Sequence, residues 1–366
     1  MQQAAARRSY QTLDGLRGVG AFLVVMRHVP GLFGPISVPE SFLAVDLFYL
    51  VSGFVVAHAY GERLARGGFV WDFVKTRIIR LYPLYIIGLI VGVITAVFFI
   101  LDDPPSDWTP LKIGECVGLG LLMIPRFPGL GINGTTLNGP IWTLLYELIA
   151  NFVYAVGIRL MKTWVLLTIV AVCAVGLVFA EFHYGTLDVG YNLTDQWAAL
   201  TRVGFSFFTG VLIYRWLGEH EIKSVWAAWA CVVALGFVLG VHVPARIIPY
   251  YEICAVLVGM PALAVAAARF EPGPLSGRLF SFVGLISYGV YIIHQPLGNL
   301  ATMEINRFTD IPEGWSGALY GAAFLAFLVL LNWALDRFYD APVRAWLRAR
   351  FMPARPRPEA VAVKPA

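Results

Sequence analysis

The hydrophobic positions of this chain fall in runs too long for the strands or core helices of a soluble domain. Apolar stretches cover residues 13–31, 42–60, 78–100, 141–160, 164–182, 200–217, 225–242, 248–268, 279–301 and 316–338. Each is close to the ~20 residues a helix needs to cross the hydrocarbon core of a bilayer. They predict ten transmembrane helices and an all-α, polytopic helical membrane protein. A further stretch, 111–124, is shorter and bounded by Pro110 and Pro125, which suits a re-entrant or interfacial segment. From about 341 the chain turns to Arg, Pro and Ala without apolar periodicity. That change predicts a membrane domain over 1–340 and a disordered, basic cytoplasmic tail over 341–366, suited to contact with anionic lipid.

Charge placement then sets the topology, because Lys and Arg concentrate in cytoplasmic loops. With 111–124 not spanning, one side holds Arg7 and Arg8, the basic residues from Arg63 to Arg80, Arg159 with Lys162, Arg215 with Lys223, Arg269 with Arg278, and the arginine-rich tail. The other side keeps Lys112, Arg126, Arg202, Arg246 and Arg307, among Asp102, Asp103, Asp107, Glu181, Asp188, Asp195, Asp310 and Glu313. A spanning 111–124 would move Arg159 and Lys162 outward and spoil this sorting. The expected arrangement is ten spans with both termini cytoplasmic. Arg17 interrupts what would be the apolar part of a signal peptide, so the first stretch is expected to be retained.

Composition adds one exclusion. Of 366 residues, 58% are hydrophobic and only 14% charged, against roughly 25% charged in soluble domains; the mean hydropathy is +0.71. A soluble enzyme is excluded, and no nucleic-acid partner is expected. The four cysteines are far apart without a CxxC pair, so metal binding and disulfides are not expected.

Candidate chemistry sits where charge enters these apolar runs. Arg17 and His28 are eleven residues apart in the first stretch, on one helix face and roughly 16 Å apart along the axis. Ionisable groups inside a spanning helix usually face the bundle interior and mark a site, although snorkelling to the two interfaces is the plain alternative. Asp46 lies near the outer end of the second helix, with Ser52-Gly53 near its middle serving either close packing or a lining role. Arg77 and Arg80 share a face at the start of the third helix. A guanidinium pair suits phosphate, and cytoplasmic anchoring explains the cluster equally well. Glu147 sits about one and a half turns into the fourth helix, and His294 in the outer half of the ninth, with Tyr288 and Tyr291 beside it. This topology puts His28, Glu147 and His294 at one depth, an acid/base grouping.

Taken together, these elements resemble acyltransferase family 3, the bacterial integral-membrane O-acyltransferases. The family's Arg/Lys, ten residues, His pattern reads Arg17 to His28. FYLVSGF at 48–54, RIIRLYPLY at 77–85, WTLLYE at 142–147 and SYGVYIIH at 287–294 follow in the family's order, with Thr143 in place of the usual serine. The resemblance covers about residues 10–340. It implies transfer of an acyl group, most simply acetyl, from cytoplasmic acyl-CoA to a hydroxyl of a carbohydrate or glycolipid acceptor at the outer face of the bacterial inner membrane, with no metal. It implies His28 and Glu147 as the catalytic pair and Arg17, Arg77 and Arg80 as donor contacts. Asp46, Trp142, Tyr288, Tyr291 and His294 are the candidates for substrate contacts. No extracytoplasmic esterase-like domain is recognised, so direct transfer by the membrane domain is expected. A transporter or flippase with a buried Arg/Glu/His path is the rival reading; the lack of inverted repeats and of paired Gly/Pro-broken helices counts against it.

Overall fold

The computed structural model describes residues 8–102, 108–124, 136–218, 220–311 and 314–352. Among the residues named above, Arg7, Asp103, Asp107, Pro125, Arg126, Glu313 and the tail beyond 352 lie outside the described set. The chain folds almost entirely into helices. In order they are α1 (Gln11–His28), α2 (Ala44–Val56), α3 (Glu62–Ala65), α4 (Val70–Asp102), α5 (Pro110–Leu121), α6 (Trp142–Gly157) and α7 (Thr163–Tyr184). Then come α8 (Gln196–Leu217), α9 (Val225–Gly240), α10 (Ile248–Cys254), α11 (Met260–Arg269), α12 (Pro274–Phe308), α13 (Trp315–Leu335) and α14 (Ala341–Phe351). Wide single turns at Ala57–Gly61, Ala255–Gly259 and Asp336–Asp340 fuse α2 to α3, α10 to α11 and α13 to α14.

Eight of the described helical segments are long and apolar enough to cross a membrane. The two expected spans not among them are α1, whose run carries Asp14, Arg17 and Arg27, and α9, which has 16 residues. Helix α1 packs between α12 and α9, and α9 leaves a face with Trp226, Val233 and Phe237 exposed. We call the end where α1 begins proximal and the end where it finishes at His28 distal. Short strands β1 (Ile222–Lys223) and β2 (Phe270–Glu271) pair in parallel at the proximal end. Thr12 donates to the Phe270 carbonyl there, and the Gln11 N–H donates to Glu271 Oε2 at 3.0 Å. Burial pushes the Glu271 carboxyl up to about 7.

Three expectations change. The helix continues through Ala341–Phe351, so the first eleven residues of the expected tail are ordered; APVRAWLRARF is rich in good helix formers and opens with Pro342 in the first turn, where its missing N–H costs nothing. Helix α4 runs straight through Pro83 and begins eight residues before the apolar stretch. Arg202 is no exposed outer-side cation. It lies in α8 and is 1% exposed. The short helix α5 is about 18 Å long. Its end meets α4 at Tyr82 and Tyr85, whose hydroxyls donate to the Leu121 and Gly120 carbonyls, while Leu137 lies back at the level of Gly92. The chain thus descends and returns on one side of α4, the course expected of a re-entrant segment.

What holds α2 to α8 is an ion pair in the core. Arg202 donates to Asp46 through Nη2 at 2.6 Å and through Nε at 3.3 Å. Its remaining hydrogens reach the Val189 and Phe42 carbonyls, and Ser206 donates to Asp46. Glycines let the two helices approach: a Cβ on Gly53 would collide with the Phe207 carbonyl, and one on Gly210 with that of Leu50.

Removing one partner of such a pair leaves a bare charge in apolar surroundings, a cost of about 3–5 kcal/mol. Asp46→Ala or Arg202→Ala is expected to lower thermal stability sharply in detergent, and the Asp46→Leu/Arg202→Leu double variant by much less. A double variant as unstable as the singles would show that the pair itself is the stabilising element. A second expectation concerns pH. Because the Glu271 carboxyl holds its proton more tightly folded than unfolded, the folded state binds more protons between about 4.5 and 7, and stability falls as pH rises through that window. Glu271→Gln should flatten this segment of the melting-temperature profile; an unchanged slope would assign it elsewhere.

Candidate active site

Helices α1, α2, α4, α6 and α12 enclose a cavity of about 110 Å³ in the proximal half. Arg17, Ser52, Arg77, Arg80, Glu147, Tyr288 and Tyr291 line it, and Phe48 and Thr143 lie at its walls. The three arginines from two separate sequence motifs therefore meet in one place. Their commitments differ. Arg77 is buried and donates to Glu147 Oε1 at 2.5 Å, which also accepts from Ser52 at 2.7 Å. Arg17 is held by Asp14 at 2.6 Å and reaches the Gly284 carbonyl. Arg80 has no carboxylate partner among the described residues, and it also lines a second proximal cavity of about 210 Å³ with Asp14, Arg17, Asp336, Asp340 and Arg344. Arg344 is held there by Asp336 at 3.2 Å and Asp340 at 2.9 Å.

The distal end holds a histidine pair. His28 and His294 face each other across α1 and α12, with His294 Nε2 3.0 Å from His28 Nδ1. His294 is wholly buried, and its Nδ1 lies 3.1 Å from the Val290 carbonyl and 2.9 Å from that of Tyr291. A carbonyl only accepts, so Nδ1 of His294 carries the proton and its Nε2 is an acceptor. The donor in the pair is then His28 Nδ1–H, shared with the Val24 carbonyl at 3.0 Å. This chain of donors leaves His28 Nε2 as a bare lone pair. His28 is only partly buried and lines a distal cavity of about 620 Å³.

Glu147 does not join this pair, contrary to the common depth expected from sequence. The reason is where α6 begins. Pro296 lacks an N–H, so the Ile292 carbonyl has no helical donor, and Asn138 Nδ2 fills the gap at 2.5 Å. The Gly139 N–H donates to Gln295. These bonds hold the start of α6 level with His294 instead of at the distal surface, and five further residues carry Glu147 down to the arginines. Thr143, one turn above Glu147, meets the Tyr291 hydroxyl at 3.0 Å. Tyr291 also stands edge-on to Phe48, 5.5 Å between ring centres, so these side chains separate the arginine cavity from the histidines.

Of the remaining candidates, Tyr288 donates to the Leu81 carbonyl and lines both proximal cavities. Asp46 is spent on Arg202. Trp142 is buried 5.9 Å beneath the Arg202 guanidinium and lines neither cavity. Neither residue lines any of the three cavities described above. Sequence reading left open whether Ser52-Gly53 packs or lines; the structure divides the two, with Ser52 on Glu147 and Gly53 in the helix crossing. Asn138, which sets the depth of α6, escaped notice. Its only sequence signal is the Pro296 it compensates.

A family model for an acyltransferase domain matches residues 10–337. The chain is 40% identical over 199 residues to "Protein 2 in picA locus" of Rhizobium radiobacter, covering 50% of this chain and all of that one. It is 22% identical to the peptidoglycan O-acetyltransferase OatA of Listeria monocytogenes, covering 93% of this chain and 56% of the relative's length. No solved structure matches.

The arginines can be told apart by experiment. Arg77→Lys replaces the guanidinium whose Nη2 reaches both Glu147 and Ser52 and should lower the melting temperature. Arg80→Lys should leave the melting temperature unchanged while weakening coenzyme A binding, measured calorimetrically, by about 1.5–3 kcal/mol, the size of a hydrogen bond to a charged group. Unchanged coenzyme A affinity in Arg80→Lys would reject a phosphate role for that residue.

Proposed function

The chain belongs to acyltransferase family 3, and on that premise we propose that it moves an acyl group, acetyl in the simplest case, from acyl-CoA in the cytoplasm to a hydroxyl of an envelope polysaccharide at the outer face of the bacterial inner membrane. The protein is a multi-pass membrane acyltransferase; donor, acceptor and sidedness are the proposal. The proximal end is assigned to the cytoplasm because the basic loops lie there.

The observation that carries the reading is the two-ended site along α1. Arg80, with no acidic partner of its own, faces the proximal cavities beside Arg17 and suits the phosphates of the donor nucleotide. His28 lies roughly 16 Å further along the same helix, a gap suited to an extended pantetheine arm. A long, narrow donor held by its phosphates can deliver its acyl carbon near His28 while the charged nucleotide stays at the aqueous end, avoiding the cost of taking phosphate into hydrocarbon. On this path the arm has to part Phe48 and Tyr291, whose edge-on contact closes the route.

At the distal end the histidine pair supplies a base. His28 Nε2 takes the proton from the acceptor hydroxyl as its oxygen forms a bond to the acyl carbon. The carbon–sulfur bond then breaks, and the same proton passes from Nε2 to the departing thiolate. Throughout, His28 Nδ1–H stays donated to His294, which holds the ring in the tautomer that leaves Nε2 free. His294 is in this account a positioning residue. Glu147 keeps Arg77 charged and in place; it performs no proton transfer at the acceptor.

The assignment separates the two histidines. His28→Ala should cost at least about 10²-fold in transfer, as expected for loss of a general base, with donor affinity intact. His294→Ala should lower kcat less, leave KM for the donor unchanged, and displace the acidic limb of the pH–rate profile by changing what holds His28 Nδ1. Substantial turnover in His28→Ala alongside a dead His294→Ala would transfer the base role to His294. A purified wild-type chain that releases no CoA from acetyl-CoA would sink acyl-CoA as donor.

A further inference from the structure

The distal cavity contains groups that neither the histidine pair nor the bundle core uses. Beyond His294, α12 continues for about four turns and presents Asn299, Thr302 and Asn306 toward the same space as His28. Their spacing of three and four residues puts them on one helix face, spread over about 10 Å. None of the three side chains has a hydrogen-bond partner among the described residues, and both asparagines are exposed. Opposite them α4 contributes the ring of Phe99. The one cation of the cavity lining, Arg307, is neutralised by Glu304 at 2.7 Å.

We propose that this face of α12 is the acceptor subsite and that it takes a neutral, hydroxyl-rich chain, a carbohydrate segment lying along the helix with one hydroxyl at His28. This rests on the reading of the protein as an acyltransferase with His28 as base. The chemistry of the lining selects the class. Carboxamides offer both a donor and an acceptor to a sugar's vicinal hydroxyls, and an aromatic face covers the apolar side of a pyranose ring. A phosphorylated or otherwise anionic acceptor would call for an uncommitted cation, and the arginine present is already paired. An alkyl alcohol would leave the two amides and the Thr302 hydroxyl without partners, a penalty for each buried polar group. The length of the face admits more than one sugar ring, so acceptor affinity should grow with chain length.

The test uses the full chain in lipid nanodiscs with acetyl-CoA as donor and total envelope glycan from cells lacking the gene as acceptor. Free CoA and alkali-labile acetate on the glycan are measured together, and melting temperature checks folding. Asn299→Ala/Asn306→Ala should raise KM for glycan at least tenfold while KM for acetyl-CoA stays at the wild-type value. Phe99→Tyr should keep transfer and Phe99→Leu should lose it, because only the former retains a ring to cover the sugar. An unchanged glycan KM in the double variant, with wild-type transfer running, overturns the subsite alone. Equal activity of Phe99→Leu and wild type, or acetate recovered in lipid and absent from glycan, overturns the carbohydrate class. Absence of CoA release from the wild-type chain instead overturns the acyltransfer reading on which the subsite rests.

Discussion

A charge inside an apolar bundle has to be met, by an opposite charge or by oriented dipoles, and this constraint organises the structure. Arg202 is met by Asp46 and two carbonyls, Arg77 by Glu147 and Ser52, Arg17 by Asp14 and Gly284. Each pairing joins or braces helices distant in sequence, so the polar contacts double as registers that fix how far one helix slides against another. Against that background Arg80 stands out. It is a guanidinium at the junction of two cavities, with no salt-bridge partner among the described residues, and is for that reason the residue proposed to take the donor's phosphates. The same logic separates the two arginines that share one helix face: identical in type and three residues apart, they differ in whether a carboxylate has already claimed them.

The spans were largely legible because a helix crossing hydrocarbon announces itself residue by residue; its apolar run is a local property. The arginine cavity was half legible. Arg17, Arg77 and Arg80 each break an apolar run and do come together, as expected. What the sequence could not display was depth and partnership. Glu147 was placed beside His28 by counting turns from the start of an apolar stretch. That start is set by Asn138 bonding to a carbonyl freed by Pro296, more than 150 residues away. Asp46 looked like a site residue for the same reason that buried charges always do. Its partner Arg202 lies 156 residues on and read as an outer-side cation at the start of its apolar stretch. Local pattern gives the elements; which charges are already spent is tertiary information.

The tail illustrates a smaller lesson. Residues 341–351 carry three arginines and Pro342, and read as a change of composition they suggest disorder. Read for helix propensity they suggest the reverse, and continuity with α13 settles the competition, since an existing helix spares the new segment the cost of nucleation. Arg344 then gains a role that composition alone hides: bound by Asp336 and Asp340, it closes one side of the proximal cavity that Arg17 and Arg80 share.

Pro296 ties the two ends of the site together. Without an N–H it leaves the Ile292 carbonyl free, and that carbonyl anchors Asn138 and the start of α6. Its own carbonyl accepts from Thr95 of α4, while two residues earlier His294 meets His28 of α1. The break in the hydrogen-bond ladder thus registers α6, and the neighbouring Pro296 carbonyl and His294 tie the same stretch of α12 to α4 and α1. Were α12 regular at this point, Asn138 would have no acceptor there and α6 no reason to begin at that depth. Glu147 would rise toward the histidines, and Arg77 would lose the carboxylate that keeps it charged in apolar surroundings. The missing donor in α12 thus helps to keep Glu147 with the arginines and apart from the histidine pair on the same helix.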